Sequence, residues 1–302
     1  MIGGTSNNVH SKIMLELSLF LFICLISMML GGLLTPFIAQ TMGISDFQTF
    51  LSTLSETSSA TERTQVKVVL LITQSLSFIL PSLLFAYLVH KNKLFQFLKL
   101  KSFPTSSFIF MGCLLILTAF PAAQLLMKLN QLIDLSGAAA DLEAKASTLT
   151  QALLVMNSPQ EFMFTLFVVA LIPAVGEELV FRGIIQNYLS KINLHTAIWT
   201  TAFLFSAFHL QFEGFLPRFL LGAILGYLLY WSGSLWLPII GHFLFNGLQI
   251  TGVYILQLQG ETVDLKATDQ LPWVFMIIST IMMLGLAYWL NKSKQNLSSH
   301  EA

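Results

Sequence analysis

Residues 163–190 read MFTLFVVALIPAVGEELVFRGIIQNYLS. The stretch is long and apolar enough to cross a bilayer core as a helix, which takes about 20 residues. Yet it carries Gly176-Glu177-Glu178-Leu179-Val180-Phe181-Arg182 in its interior. A charged side chain at the membrane centre costs at least about 2.5–3.5 kcal/mol on insertion scales. Charges kept at that cost are either paired with one another or put to use.

Outward from this run the pattern repeats. Apolar runs occupy roughly 13–38, 68–89, 107–127, 163–190, 194–210, 215–231, 235–257 and 272–290. Hydrophobic residues make up 55% of the 302 positions and charged residues only 10%, against about 25% charged in a soluble domain. A helix satisfies its own backbone in lipid, where water cannot. The expectation is an all-α, polytopic transmembrane helical bundle of about eight spans. Trp199, Trp231, Trp236, Trp273 and Trp289 fall mostly near run ends, as interfacial aromatics do.

Composition also excludes. Fifteen basic and fifteen acidic residues cancel, so no basic field points to nucleic acid. Cys24 and Cys113 lie within apolar runs, which argues against a structural disulfide and leaves too few ligands for a cysteine metal site. The first run is too long for a signal peptide and has no small-residue cleavage site. No fixed-period repeat suggests a repeat-built transporter.

Lysines set the expected orientation. With the N-terminus inside, inner segments hold Lys12, Lys91, Lys93, Lys99, Lys101, Lys191, Lys292 and Lys294, and outer segments hold Arg63, Lys67, Lys128, Lys145 and Lys266. Eight against five favours a multi-pass protein of the cell (inner) membrane with both termini cytoplasmic. Glu56, Asp141, Glu143 and Asp264 fall on the outer side. Two outer loops are long: 41–66, rich in Ser and Thr, and 128–160, whose alternation suggests a surface helix. The chain divides into residues 1–160, with three spans and those loops; residues 161–290, about five spans with the polar residues; and a cytoplasmic tail, 291–302.

Helical spacing sorts the polar residues of the second half. Glu178 and Arg182 are four apart and can pair on one face. Glu177 points about 100° away. The fifth run ends Phe205-Ser206-Ala207-Phe208-His209, with Phe205 one turn below His209. The seventh contains His242-Phe243-Leu244-Phe245-Asn246, which projects His242 and Asn246 together. Three helices can thus converge a carboxylate, two imidazoles and an amide. With inner boundaries at Ser190 and Ser234 and about 1.5 Å per residue, Glu177 and His209 rise about 20–22 Å and His242 about 12 Å. Convergence therefore requires tilt, a kink at Pro173 or Pro238, or a different boundary. Arg218, beside Pro217 at a run end, reads as an interfacial anchor. Gly222 and Gly226 form a Gly-x-x-x-Gly pattern that reads as close helix packing.

These motifs together resemble the CAAX protease and bacteriocin-processing (CPBP) family of intramembrane peptidases, whose pattern is Glu-Glu-x-x-x-Arg, Phe-x-x-x-His and His-x-x-x-Asn. Here it reads Glu177, Glu178 and Arg182; Phe205 and His209; His242 and Asn246. The resemblance covers about residues 175–250. It implies a CAAX prenyl protease-like endopeptidase embedded in the lipid bilayer. Such an enzyme cuts a membrane-associated protein or peptide substrate near its C-terminus or within a leader.

Two mechanisms fit the residues. In one, Glu177 and His209 activate a water, and His242 and Asn246 stabilise the oxyanion. In the other, Glu177, His209 and His242 hold one zinc ion with an open position for water, and Glu178 is the base. The family is often called a metalloprotease, but the His-Glu-x-x-His signature is absent. Glu178, Arg182 and Phe205 support the site in either case. The rival functions are a non-catalytic scaffold or bacteriocin-immunity protein that keeps the fold, and a transporter whose acidic pair carries protons.

Overall fold

The computed structural model describes residues 3–133, 136–261 and 271–300. Among the described residues every regular element is a helix. Seven are long and apolar enough to cross a membrane: α1 (His10–Thr41), α3 (Ala60–Phe97), α4 (Ser106–Asn130), α6 (Pro159–Leu189), α8 (Phe215–Ser232), α9 (Trp236–Leu258) and α10 (Trp273–Gln295). The fold is a polytopic helical bundle. The remaining apolar run forms α7 (Leu194–Phe208), a helix of 15 residues. At 1.5 Å per residue it rises only about 22 Å, so it is shorter than the span expected there.

Each long loop contains a helix. Within 41–66 lies α2 (Phe47–Thr53), whose first amides bond to the Asp46 carboxylate at 3.0 and 3.3 Å. Within 128–160 lies the surface helix α5 (Ala138–Leu153). Helix α3 starts well before its apolar run because Ser59 and Glu62 form a reciprocal cap, which satisfies two otherwise unpaired amides. That early start draws Arg63 and Lys67 into the bundle instead of an outer loop. Arg63 meets Glu161 at 2.8 Å and Lys67 donates to Thr165 at 2.7 Å, tying α3 to α6. Lys266 and Asp264 lie outside the described residues.

Two apolar cores flank the polar centre. One packs α4, α8, α9 and α10 through Leu115, Ile116, Leu225, Leu228, Leu237 and Met283. The other joins α1, α3, α6 and α7 through Phe20, Phe85, Leu179, Ile184 and Phe205. Outward faces of α1 and α10 present Leu15, Phe22, Met29, Leu33, Ile277 and Leu284, as lipid-facing helices do.

Helix α6 is not uniform. Wide turns, closed by i→i+5 bonds, occupy Leu166–Leu171 and Leu179–Gln186 on either side of an α-helical segment, Ile172–Glu178. Pro173 has no N–H to donate, which loosens the preceding turn. Wide turns are rare and collect at functional positions; here they bracket the glutamate pair.

Helix α8 approaches α6 and α7 closely because Gly222 and Gly226 lack side chains. A β-carbon at Gly222 would lie 3.0 Å from the Ala202 Cα, and one at Gly226 2.8 Å from the Gln186 Oε1. Arg182 and Gln186, four apart on α6, use that closeness. Each donates to a glycine carbonyl of α8, Gly222 and Gly226 respectively, at 2.9 Å.

Candidate active site

Glu178 and Arg182 are both fully buried, and Arg182 Nη1 lies 2.8 Å from Glu178 Oε1. The i,i+4 spacing delivers this pair locally. The same carboxylate oxygen lies 2.9 Å from Nδ1 of His242, on α9. A carboxylate held by a guanidinium accepts, so the shared proton sits on Nδ1. Nε2 of His242 therefore turns toward Glu177, whose Oε2 is 4.0 Å away. That is beyond hydrogen-bond range but suits a bridging water. The Glu177 Oε2 itself is buried without a hydrogen-bond partner.

His209 follows the last residue of α7. Its Nδ1 lies 2.8 Å from the Phe205 carbonyl, which can only accept, so this nitrogen also carries the proton. The neutral ring then offers Nε2 as an acceptor. Phe205 is the buried hub of the cluster. Its ring packs edge-on against His209 at 5.2 Å and His242 at 5.7 Å. The Arg182 guanidinium stacks over it at 4.6 Å, a favourable cation–π distance.

Glu177, His209, His242 and Asn246 all line one cavity of about 850 Å³. The difference in depth that sequence spacing gave is absorbed by the helices, for Glu177 and Glu178 both reach His242. Among the described residues no hydrogen bond joins His209 or Asn246 to Glu177; they share the cavity wall. The zinc alternative meets a geometric obstacle: among the described residues no three His, Cys, Asp or Glu side chains are grouped closely enough to hold a metal ion. The donors present do not fit zinc in this arrangement.

The sequence reading missed three things. Glu178 serves His242 as well as Arg182; its i,i+4 partner explained it locally, and nothing in the spacing signalled the contact across to α9. Arg218, read as an interfacial anchor, lines the cavity. Asn130 and Glu143 fix the loop between His209 and Arg218. Asn130 donates to the Phe212 carbonyl at 2.6 Å and accepts from the Leu216 amide at 2.8 Å. Glu143 accepts from the Phe212 amide at 2.9 Å. Asn130 ends an apolar run, and an amide at that place was a readable signal.

Comparison with known proteins points the same way. Residues 159–248 match the family model described as type II CAAX prenyl endopeptidase Rce1-like. The chain is also similar to the uncharacterized protein YpbD of Bacillus subtilis (strain 168), at 28% identity over 104 residues, covering 33% of this chain and 49% of that protein. The chain thus spans about half the length of the curated relative it matches. No solved structure matches it. The matched segment contains all three motifs and every cavity-lining residue of the glutamate, histidine and asparagine set; over that segment the chain is similar to the type II CAAX prenyl endopeptidase Rce1-like family.

Proposed function

We propose that this protein is an intramembrane endopeptidase that hydrolyses a peptide bond of a membrane-associated protein or peptide. One observation carries the reading: Glu177, His209, His242 and Asn246 face one cavity inside the helical bundle. Glu177 and His209 take the proton of a water as it attacks the carbonyl. Asn246 donates an amide N–H to the oxyanion. His242, whose Nδ1 the Glu178 carboxylate holds at 2.9 Å, is the second group beside that oxyanion. Phe205 holds both imidazoles, and Arg182 holds Glu178. Residues 161–290 form the catalytic unit. Residues 1–160 add α4, whose Phe120, Pro121 and Gln124 line the cavity, and α1 and α3, which pack against one side; 291–302 form the tail.

Both termini are placed in the cytoplasm. Removing buried Arg63 and Lys67 from the five outer charges leaves three against eight inner ones, which strengthens the lysine bias.

The test is a survey of membrane-protein termini in cells with the wild-type chain and with Glu177→Ala. New termini that depend on Glu177 are expected, and they identify substrates. Indistinguishable termini in the two strains favour the scaffold reading instead.

A further inference from the structure

Of the residues lining the cavity, only Glu177 and Arg218 carry Asp, Glu, Lys or Arg side chains. The chain's other arginines, Arg63 and Arg182, each meet a carboxylate at 2.8 Å. Arg218 meets none at ion-pair distance among the described residues. Its guanidinium donates instead to the backbone carbonyl and, at 3.3 Å, to the side-chain oxygen of Gln211, both neutral. Its Nε is buried without a partner. Gly214 makes the room, since a β-carbon there would overlap the guanidinium. The carboxylates of Glu143 and Glu177 act on it only from beyond ion-pair distance, and a cation half-buried with neutral acceptors as its direct partners keeps capacity for a closer anion. Such a group is well placed to receive an anion.

The hydrogen bonds of the site indicate which anion. His209 and His242 each commit Nδ1–H, to the Phe205 carbonyl and to Glu178. As neutral rings both offer the cavity an acceptor. Asn246 brings a neutral donor, and Arg218 is the one permanent positive charge on the wall.

We propose that Arg218 is a further catalytic residue, whose guanidinium binds the negative charge that develops on the substrate's carbonyl oxygen; the inference rests on the peptidase reading. As the water oxygen bonds to the carbonyl carbon, its proton passes to the Glu177 carboxylate and the C=O π pair moves to oxygen. One unit of negative charge thus leaves Glu177 and appears on the oxyanion. When the C=O re-forms and the C–N bond breaks, the proton on Glu177 goes to the leaving amine. One water is consumed and nothing else is required. A fixed cation strengthens this shift most in a site with little water.

The experiment uses the full-length protein in detergent and two probes. The first is a pool of peptides in which an anionic phosphinate replaces the scissile amide, compared with the same pool carrying the amide. Wild-type protein is expected to retain phosphinate members preferentially. Arg218→Gln should abolish that preference and Arg218→Lys keep part of it. Gly214→Ala, which displaces the guanidinium without removing it, should weaken it. The second probe is a quenched fluorescent peptide built on the best-retained sequence. Arg218→Gln should lower kcat by about 10²–10³, the scale of one oxyanion donor, with KM little changed. Added guanidinium ion should restore part of the turnover of Arg218→Ala.

Equal phosphinate retention by wild type and Arg218→Gln, or no preference in wild type, overturns the proposal. So does a change in KM alone that vanishes on amidating the peptide's C-terminus, which assigns Arg218 to a substrate carboxylate. Arg218-dependent retention of phosphinate with no peptide cleaved supports the anion site and removes the peptidase reading.

Discussion

Glu178 Oε1 accepts from His242 Nδ1 at 2.9 Å while holding Arg182 Nη1 at 2.8 Å. One oxygen thus links the helix of the glutamates to the helix of the asparagine. Glu178→Ala leaves Arg182 buried without a carboxylate, at a cost of about 3–5 kcal/mol. The double variant Glu178→Ala, Arg182→Met should recover much of that stability but not activity, because His242 stays unheld. Glu178→Gln keeps the shared acceptor oxygen but removes the charge that holds it against Arg182 and puts an N–H₂ where Oε2 has no partner, and displacement of the imidazole should lower turnover by about 100-fold. Thermal unfolding in detergent, read beside kcat, checks the three variants. A double variant as unstable as Glu178→Ala counts against the account.

Glu177→Ala, His209→Ala and His242→Ala should each lower cleavage by about 10²–10⁴, the range for a positioned acid or base, while the protein still accumulates in the membrane. Only Glu177 of the pair faces the cavity, so its loss should disturb stability less than that of Glu178. Near-normal turnover in any of the three removes that residue from the mechanism.

Asn246 separates the two chemistries. As an amide donor to an oxyanion, its replacement by Ala should lower kcat by about 10²–10³ and leave KM nearly unchanged. Asn246→Asp should be as poor, since an ionised carboxylate donates nothing and repels the oxyanion. A zinc site predicts the opposite: Asp is a good ligand, so Asn246→Asp keeps activity, and purified protein holds about one metal per chain and dies on chelation. Assay of both variants with metal content on one preparation decides.

The α7–α8 contact has no slack. In Gly222→Ala the new methyl carbon meets the Ala202 Cα at 3.0 Å and Cβ at 3.1 Å. These atoms belong to or sit on the main chain and cannot rotate away. Overpacking of this kind costs about 1–3 kcal/mol, and the Arg182 bond to the Gly222 carbonyl lengthens with it. Gly285→Ala on α10 has open space around the new methyl and should be neutral or slightly stabilising. Unfolding temperatures of both variants are the check; a Gly222→Ala protein as stable as wild type contradicts the packing argument.

Orientation is open to labelling. Single cysteines at Gln96 and Gln295 should be shielded from an impermeant thiol reagent added outside intact cells, whereas cysteines at Ser59 and Gly137 should react. Reversal of the pattern inverts the topology.

What the sequence made legible follows from what lipid demands. Long apolar runs must satisfy their own backbone in lipid and so become helices, and α1, α4, α6, α8, α9 and α10 fall close to their runs. The start of α3 was hidden because Ser59 and Glu62 cap a polar turn whose charged residues find partners on α6, 98 positions away. The motif residues stood out as polar groups within apolar runs. Their convergence did not follow from uniform 1.5 Å steps, because wide turns around Leu171 and Leu179 alter the rise and rotation of α6. Arg218 resembled an anchor because nothing local shows that the chain after His209 folds back so that this side chain reaches the cavity.

Helix α7 stops about 8 Å short of a 30 Å hydrocarbon layer, and His209 stands where it stops. Beyond it the chain is irregular, with Leu210 at φ 53°. Backbone of that kind survives at membrane depth only when protein or trapped water satisfies it. Asn130 and Glu143 take up the amides of Phe212 and Leu216 and the carbonyl of Phe212, and Arg218 and Ser206 take the carbonyls of Gln211 and Phe215. The shortened helix is therefore a notch in the hydrophobic belt, and it opens beside the His209 imidazole, where the proposed hydrolysis needs water.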